Sequence, residues 1–417
     1  DLKREQKLQA IVLADSFMKT FRPISWEKPK VLMPLVNTPM LDYTIDFLAQ
    51  NNVREIFVFC VWHADALQEY IESKSWPPSI TVTCLSSSAC LSAGDALREI
   101  DAMGIIRSDP FVLINGDVVS NMKLGDAIAF HKEKKKVDNN AVMTVALKAV
   151  QKNAAVVPVL DDLVVAMDRS SNQVLLFDND VTMKDVRIPL EVMADHPGVV
   201  LRTDLLDCHV DICSPELLLQ FSDNFDYQNI RKHFIKNEVV NWDLGMHVYG
   251  YVLNVWSIYA ARVQDARTYH SVSRDIIRRW VYPVVPDLPK LQEACSSAVH
   301  TGRYIYREDN VRIARSARIG NGVVLGSGTV VEENAFVAHS VLGHNCVIGA
   351  GAVVEESHLW SGVHVKENCK VHSSILCDNV VLKPKASISR GCVLSFGVIV
   401  GEGVVLPPYT RLSRISK

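Results

Sequence analysis

Short apolar runs alternate with amphipathic stretches along the first part of the chain. The apolar runs lie at Ala10–Ala14, Ile56–Val61, Ile80–Leu85, Phe111–Ile114 and Ala141–Ala146. Between them, apolar residues recur at the spacing of a helix face, in the sets Leu41, Ile45 and Leu48, then Leu67, Tyr70 and Ile71, then Ala93, Leu97 and Ile100. This alternation predicts βαβ units around a buried, mostly parallel sheet. Because ligands of such sheets bind beyond the carboxyl ends of the strands, we expect a pocket at the loops after Ala14, Trp62, Ser86 and Asn115.

The middle of the chain is less regular and contains one clear strand pattern and one break. In Leu206–Ile212, apolar residues alternate with Asp207, His209 and Asp211. This polar face is either a solvated strand face or a set of metal ligands. The segment 282–289 contains three prolines, which interrupt regular structure. We therefore predict a first domain at 1–290, a linker at 291–311 and a second domain at 312–417.

The spacing of aliphatic residues changes to six in the last part of the chain. The series is Ile313, Ile319, Leu325, Val331, Val337, Leu342, Ile348, Val354, Leu359, Val365, Val371, Leu376, Leu382, Ile388, Leu394, Val400 and Leu406, with three steps of five. A six-residue period predicts a three-sided parallel β-helix of about five coils, with the aliphatic side chains inside.

Smaller residues of the same segment support this interpretation. We expect Cys346, Cys369 and Cys392, each two residues before an aliphatic position, to be small interior fillers. Gly320, Gly326, Gly343, Gly349 and Gly401 directly follow aliphatic positions, where we expect tight corners that need a permissive backbone. Five histidines, His339, His344, His358, His364 and His372, are expected to face solvent on turns. The alternative for them is general-base catalysis, as in hexapeptide acyltransferases.

Composition and charge argue against several classes of protein function and location. The net charge of −3 over 417 residues argues against binding nucleic acid or membrane surfaces by bulk charge. No apolar run is long enough to span a membrane, and the charged start is unlike a secretory signal. Ten cysteines without a C-x-x-C pair indicate a reduced, intracellular protein. The chain starts with Asp1 rather than Met, which suggests a trimmed or processed product.

The segments Ala14–Ile24 and Lys28–Pro34 resemble the opening motif of the sugar-nucleotide pyrophosphorylases. In that alignment three family glycines fall on Asp15, Ser16 and Met18, and the family arginine falls on Thr20. Glycines there let backbone N–H groups approach a triphosphate, so these replacements indicate a degenerate phosphate site. Lys30 is retained, and we expect it to be a surface or packing residue. Asp117, after Asn115 and Gly116, matches the family aspartate that helps to hold Mg²⁺. No P-loop motif is present, so the chain is not itself a GTPase.

Four longer strings narrow the resemblance. Leu205–Pro215, Asp223–Gln228, Ile277–Pro283 and Leu376–Asn379 resemble the epsilon subunits of eukaryotic translation initiation factor 2B. The resemblance runs from about Leu8 to Pro408. It implies an α/β, Rossmann-like nucleotidyltransferase-like domain followed by a left-handed parallel β-helix of hexapeptide repeats.

The resemblance also implies a function in translation initiation. The family's complex is the guanine-nucleotide exchange factor that converts initiation factor 2 from its GDP-bound to its GTP-bound form. It implies a gamma subunit as the heterodimer partner, alpha, beta and delta subunits in a cytosolic heterodecamer, and initiation factor 2 as substrate. The family's Asn-Phe motif falls on Asn224 and Phe225, which we expect to bind that substrate. The family's exchange-catalysing C-terminal domain has no counterpart up to Lys417, so we expect this chain to be the assembly and substrate-contact part.

The residues and the resemblance together give the expectations for catalysis and binding. We expect no catalytic residue, cofactor or metal ion in this chain, and no direct contact with nucleic acid. The main alternative is an active sugar-nucleotide pyrophosphorylase with a β-helix domain, and a β-helix acyltransferase is the other. For Phe225, the alternative to a contact residue is a side chain packed in the core.

Overall fold

The computed structural model describes residues 7–14, 20–87, 89–149, 163–179, 193–194, 196, 198–240, 245–253, 258–288 and 298–414. The described residues form two units. The first takes those within Asp1–Met18 and Leu41–Thr268, and the second takes those within Lys19–Met40 and Tyr269–Lys417. Residues 291–297 of the predicted linker lie outside the described residues, and the domain boundaries stay a prediction. Within the described residues, no helix has the length and apolar character needed to cross a membrane.

Before residue 278, the described residues form seven α-helices, fourteen strands, the short 3-10 helices Ile24–Trp26 and Lys30–Leu32, and the π-helix Ile230–Ile235. The strands are β1 Gln9–Leu13, β2 Pro34–Leu35, β3 Thr38–Pro39, β4 Glu55–Cys60, β5 Thr81–Ser86, β6 Phe111–Asn115, β7 Val118–Ser120, β8 Ala141–Ala149, β9 Val164–Asp168, β10 Val174–Asp178, β11 Val199–Arg202, β12 Leu205–Cys213, β13 His247–Leu253 and β14 Ala260–Arg262. The helices are α1 Met40–Gln50, α2 Ala64–Ser73, α3 Ala93–Met103, α4 Leu124–Val137, α5 Glu216–Asp223, α6 Lys236–Val240 and α7 Ala266–Ile277.

The first unit is built on a seven-stranded sheet in the order β13-β8-β12-β6-β1-β4-β5. Neighbouring strands are parallel except β12, which is antiparallel to both β6 and β8. All five apolar runs became strands, and the three predicted helices are α1, α2 and α3. The predicted α/β class with a mostly parallel sheet is therefore confirmed. Fully buried aliphatic and aromatic residues of β1, β6, β8 and α3 form much of its core.

The second unit contains three sheets that form the sides of a β-helix, and their strands are parallel except Val299–His300, which is antiparallel to Ile305–Arg307. The first has Val299–His300, Ile305–Arg307, Val323–Leu325, Val341–Leu342, His358–Leu359, Ile375–Leu376, Val393–Leu394 and Arg411–Leu412. The second has Arg312–Ile313, Val330–Val331, Val347–Ile348, His364–Val365, Val381–Leu382 and Ile399–Val400. The third has Arg318–Ile319, Phe336–Ala338, Val353–Glu355, Lys370–His372, Ser387–Ile388 and Val405–Leu406. Each aliphatic position of the hexad series lies in one of these strands, so the predicted period is confirmed.

The interior of the β-helix is a column of aliphatic side chains with small residues at its corners. The inward aliphatic residues are buried except near the two ends, where Ile313, Ile319 and Leu406 are partly buried. Cys346, Cys369 and Cys392 are fully buried, as predicted. The Cys346 thiol lies 3.0 Å from the carbonyl oxygen of Trp360 on the next coil, and burial raises its pKa to about 12.

The three five-residue steps coincide with a ladder of buried serines. Ser340, Ser357 and Ser374 each donate a hydrogen bond of 2.7 Å to the carbonyl oxygen two residues earlier. The backbone N–H of Ser357 donates to Ser340 Oγ, and that of Ser374 donates to Ser357 Oγ, at 3.1 and 3.2 Å. The hydroxyls thus satisfy buried backbone groups at the shortened corners, where one residue is missing.

The role predicted for the five glycines after aliphatic positions is wrong. None of them has a positive φ. Gly326 and Gly343 lack room for a side chain, because a Cβ atom would lie 2.5 Å and 2.6 Å from the backbone of the next coil. Positive φ occurs elsewhere on the turns, as at Gly328 and Asn345. Gly326 and Gly343 therefore allow close stacking of coils rather than an unusual backbone conformation.

One face of the β-helix is covered by other parts of the second unit. Its outward residues Val324, Val341, His358, Ile375 and Val393 are buried. The Trp360 indole N–H donates to the Tyr269 hydroxyl of α7 at 3.2 Å, and Asn37 Nδ2 donates to the Leu342 carbonyl at 3.0 Å. The segment 20–40 thus packs with α7 against this face.

The inward phase of the hexads can be tested by a matched pair of substitutions. Ile348 is fully buried inside the β-helix, whereas Ile399 occupies an outward strand position and is 63 % exposed. We expect Ile348→Asp to destabilise the second unit by several kcal/mol, because a carboxylate is buried without a partner. Ile399→Asp should change the free energy of unfolding little. Urea unfolding of both variants checks this, and equal effects would contradict the phase.

Candidate functional site

A cavity of about 510 Å³ lies at the carboxyl edge of the main sheet in the first unit. The ends of β1 and β6, the start of α3 and the segment 228–233 line it. This is the edge at which the alternation of strands and helices predicted a pocket. Asn115 lines the cavity, as predicted, and Trp62 is not among the lining residues.

A buried ion network forms one wall of the cavity. The Arg231 guanidinium lies between two carboxylates of β12. Its Nε and Nη2 donate to Asp207 at 2.6 and 2.9 Å, and its Nη1 and Nη2 donate to Asp211 at 2.7 and 2.9 Å. All three side chains are almost completely shielded from solvent. The paired forks satisfy the guanidinium and both carboxylates with charge-assisted hydrogen bonds.

Local backbone geometry places these three groups. Asn229 caps the π-helix Ile230–Ile235, because its side-chain oxygen accepts from the backbone N–H groups of Arg231 and Lys232. On β12, the pairing with β8 shifts register between Asp207 and Asp211, and His209 adopts φ 51° there. The irregularity at His209 explains why β12 departs from a simple alternating strand.

The titratable groups of the network differ in the direction in which their pKa values are shifted. Burial acts to raise the pKa of Asp207, but the charge and hydrogen bonds of Arg231, together with the contribution of His209, outweigh burial and hold that pKa well below its ordinary value. Burial raises the pKa of Asp211 to about 6, because one guanidinium offsets only part of the cost of two buried carboxylates. Burial also lowers the pKa of His209 to about 3, so this side chain is neutral.

The predicted solvated face of β12 is therefore wrong, because its polar side chains are buried around Arg231. The positive guanidinium occupies the place between the carboxylates that a metal ion would need. Within the described ranges, no group of three or more His, Cys, Asp or Glu side chains is arranged to hold a metal ion. The sequence did not predict that Arg231 belongs to this site. Its carboxylate partners are 20 and 24 residues away in the chain, and no local spacing links them to it.

The aspartate that matches the pyrophosphorylase motif is also paired. Asp117 is 2 % exposed, and its Oδ1 accepts from Arg262 Nε at 2.8 Å. Lys30 belongs to the second unit, where it is buried and its Nζ lies 5.3 Å from the centre of the Phe21 ring. The Thr20 carbonyl accepts from Arg411 Nη1 at 3.5 Å in the same unit. Asp15, Ser16 and Met18 lie outside the described residues.

The β-helix histidines have different surroundings. His339 and His372 are exposed on the surface, and His344 Nδ1 lies 3.2 Å from a Glu308 carboxylate oxygen. His358 is buried in a strand with its Nε2 3.0 Å from His270 Nδ1, so the prediction of a solvent-facing turn is wrong for it. Burial holds the pKa of His358 well below its ordinary value, and the side chain is shielded from any substrate.

The loop that carries Asn224 and Phe225 follows α5. Phe225 is 72 % exposed, so the alternative that it packs in the core is wrong. Its neighbours Phe221 and Tyr227 are buried and contact each other with ring centres 5.8 Å apart. The Asn224 side-chain oxygen accepts from the Asp226 backbone N–H at 3.1 Å. The loop therefore presents one large aromatic side chain to solvent between two anchored rings.

Because the two carboxylates of the ion network differ in pKa, we predict a penalty that does not change with pH for one of two matched variants and a penalty that shrinks for the other. Above the ordinary aspartate pKa of about 4, Asp207→Asn should cost about 3–5 kcal/mol, because it removes the ionised partner of a buried guanidinium. The raised pKa of Asp211 means that the folded state binds this proton more tightly than the unfolded chain. The advantage of wild type over Asp211→Asn should therefore shrink, by about 1.4 kcal/mol per pH unit, as pH rises from 4 to 6.

Urea unfolding at several pH values between 4.5 and 7.5 measures both effects. Each variant is the control for the other, since both remove one carboxylate from the same guanidinium. A penalty for Asp211→Asn that grew with pH would contradict the assignment.

Comparison with known proteins assigns both parts of the chain. Residues 302–406 match the family model described as EIF2B subunit epsilon LbH domain. Residues 9–155 match the model described as nucleotidyl transferase. A putative mannose-1-phosphate guanyltransferase of Sulfolobus acidocaldarius is 28 % identical over 127 residues, which are 30 % of this chain and 34 % of that protein.

Two relatives match much more of the chain. The translation initiation factor eIF2B subunit epsilon of Dictyostelium discoideum is 45 % identical over 78 % of this chain and 46 % of its own length. The subunit of the same name from Schizosaccharomyces pombe is 37 % identical over 99 % of this chain and 60 % of its own length. The chain thus spans about half the length of these curated relatives. The predicted order of a nucleotidyltransferase-like domain and a left-handed β-helix is confirmed, and the chain belongs to the family of the eIF2B epsilon subunits.

Proposed function

We propose that this chain is the assembly and substrate-contact part of the exchange factor that converts initiation factor 2 from its GDP-bound to its GTP-bound form. The observation that carries the proposal is the exposed Phe225 beside Asn224, at the position of the family's Asn-Phe motif. An aromatic ring that is 72 % exposed on an anchored loop offers contact area without an ordering cost. The names of the two long relatives support the same function.

The partners follow from the same proposal. A gamma subunit would form the heterodimer, and alpha, beta and delta subunits would complete a decamer in the cytosol. The open ends and flat sides of a β-helix favour docking to another chain, because unpaired strand edges and apolar residues remain at the surface. At one end of the β-helix, Val405 and Tyr409 are 66 % and 64 % exposed.

We also propose that nucleotidyl transfer has been lost. Asp117 is engaged by Arg262, and the two carboxylates of β12 are engaged by Arg231, so a metal ion would have to displace a buried guanidinium. The glycines that would cradle a triphosphate are replaced by Asp15, Ser16 and Met18. Both observations argue against the alternative of an active pyrophosphorylase.

Loss of the nucleotide site predicts no useful affinity for nucleoside triphosphates. Calorimetric titration with ATP, GTP, CTP and UTP in the presence of Mg²⁺ should give no dissociation constant below about 1 mM, or −4 kcal/mol. An active mannose-1-phosphate guanyltransferase serves as the positive control. A micromolar dissociation constant, about −8 kcal/mol, would restore the pyrophosphorylase alternative.

The contact role of Asn224 and Phe225 predicts a loss of exchange without a loss of stability. In the full-length subunit within the assembled complex, Phe225→Ala should leave the melting temperature nearly unchanged, because the ring is exposed. It should slow GDP release by about thirtyfold, equivalent to the ~2 kcal/mol of an aromatic hot spot. Asn224→Ala should act in the same direction.

Two matched variants separate stability from contact. Phe221→Ala removes a fully buried ring and should cost about 3–5 kcal/mol of stability. Leu219→Ala removes an apolar side chain that is 54 % exposed outside the motif and should leave GDP release unchanged. Copurification with a gamma subunit confirms assembly of each variant. Normal GDP release by assembled Phe225→Ala complexes would refute the site.

A further inference from the structure

The exposed Phe225 loop rests on a single face of helix α3. Gly94, Arg98 and Asp101 are spaced four and three residues apart, so they lie on the same side of the helix. The Gly94 backbone N–H donates to the Gln228 carbonyl at 3.1 Å, and a Cβ atom at Gly94 would lie 1.9 Å from the Tyr227 carbonyl oxygen. The Ser222 hydroxyl donates to an Asp101 carboxylate oxygen at 2.5 Å. The helix therefore contacts the segment before and after Phe225.

Arg98 makes the central contacts of this face. Its Nη1 lies within hydrogen-bond distance of three carbonyl oxygens, at 3.0 Å from Phe221, 3.4 Å from Asn224 and 3.3 Å from Tyr227. Its Nη2 donates to Asp95 at 2.7 Å, which fixes the guanidinium plane. The Arg98 guanidinium thus contacts backbone carbonyl groups on both sides of Phe225.

The same guanidinium lies against the exposed ring. The Arg98 Cζ atom is 5.3 Å from the centre of the Phe225 ring, within the range of a cation–π contact. The Arg98 side chain is 12 % exposed, whereas Phe225 is 72 % exposed. The ring therefore has a buried, positively charged support on one side and solvent on the other.

From these contacts we infer that Arg98 is a positioning residue, which holds the Asn224–Phe225 loop in the conformation that presents the aromatic ring to the protein it contacts. The inference rests on the proposed role of Phe225, and it assigns a function to a residue on a different element, 127 positions away in the chain. A lysine cannot replace Arg98 fully, because its compact ammonium group lacks the planar fork that reaches several acceptors at once.

The first test is a double-substitution cycle in the assembled full-length complex. Arg98→Met should slow GDP release by about threefold to tenfold, the cost of ordering a side chain that is no longer held. Arg98→Lys should lie between Arg98→Met and wild type. In a Phe225→Ala background, Arg98→Met should have no further effect, because Arg98 acts through that ring. Lys134→Met is the matched control, since Lys134 lies 5.2 Å from the Phe130 ring on α4, away from this loop.

The second test observes the ring directly and does not depend on exchange. With 4-fluorophenylalanine at position 225, the fluorine resonance should move towards the value of an unstructured chain and become narrower in Arg98→Met. Lys134→Met should leave it unchanged. An unaltered resonance in Arg98→Met would overturn the positioning role.

The two proposals can fail separately. If Phe225→Ala slows GDP release but folded Arg98→Met does not, or if the two effects multiply, Arg98 does not act through the loop. If Phe225→Ala has no effect, the proposed substrate contact fails, while the fluorine spectrum still decides whether Arg98 holds the ring.

Discussion

The structure at the carboxyl edge of the main sheet depends on the ion pairs that the Arg231 guanidinium makes with two carboxylates. Two carboxylates of β12, an antiparallel neighbour of β6, are buried there, and neither could remain ionised in that position without a positive partner. Arg231 supplies that charge with four hydrogen bonds. Because Arg231 lies on the short π-helix Ile230–Ile235, the network also ties the segment 228–235 to the sheet.

This anchoring extends to the loop that carries Phe225. Phe221, before the loop, packs with Tyr227 and Phe234, after it, and the ring centres of the three are 5.3 to 5.8 Å apart. On the other side, α3 supplies Arg98 to the carbonyl groups of the loop. The exposed ring is thus surrounded by fixed neighbours, which is the arrangement expected of a contact residue that pays little entropy on binding. In the cavity at the carboxyl edge of the main sheet, the buried Asp211 carboxylate is already paired with Arg231.

The β-helix solves a different physical problem. Each coil is too small to bury its own aliphatic side chains, so its stability comes from stacking on the neighbouring coils. Glycines at Gly326 and Gly343 let coils approach, and buried serines such as Ser357 satisfy backbone groups where a coil is one residue short. The face that includes Val341 and Ile375 is covered by segment 20–40 and α7.

The sequence by itself determined the parts that repeat or alternate. Runs such as Phe111–Ile114 and the hexad series predicted the strands of both units, because period and burial are local properties of a strand. Exposure of Phe225, burial of His358 and the partners of Asp207 were decided only by the tertiary structure. Each depends on residues far away in the chain, such as Arg98, His270 and Arg231, and a local pattern of polar and apolar residues contains no information about such contacts. For that reason a polar strand face, which resembles a solvated surface in the sequence, became a buried ion network when the chain folded.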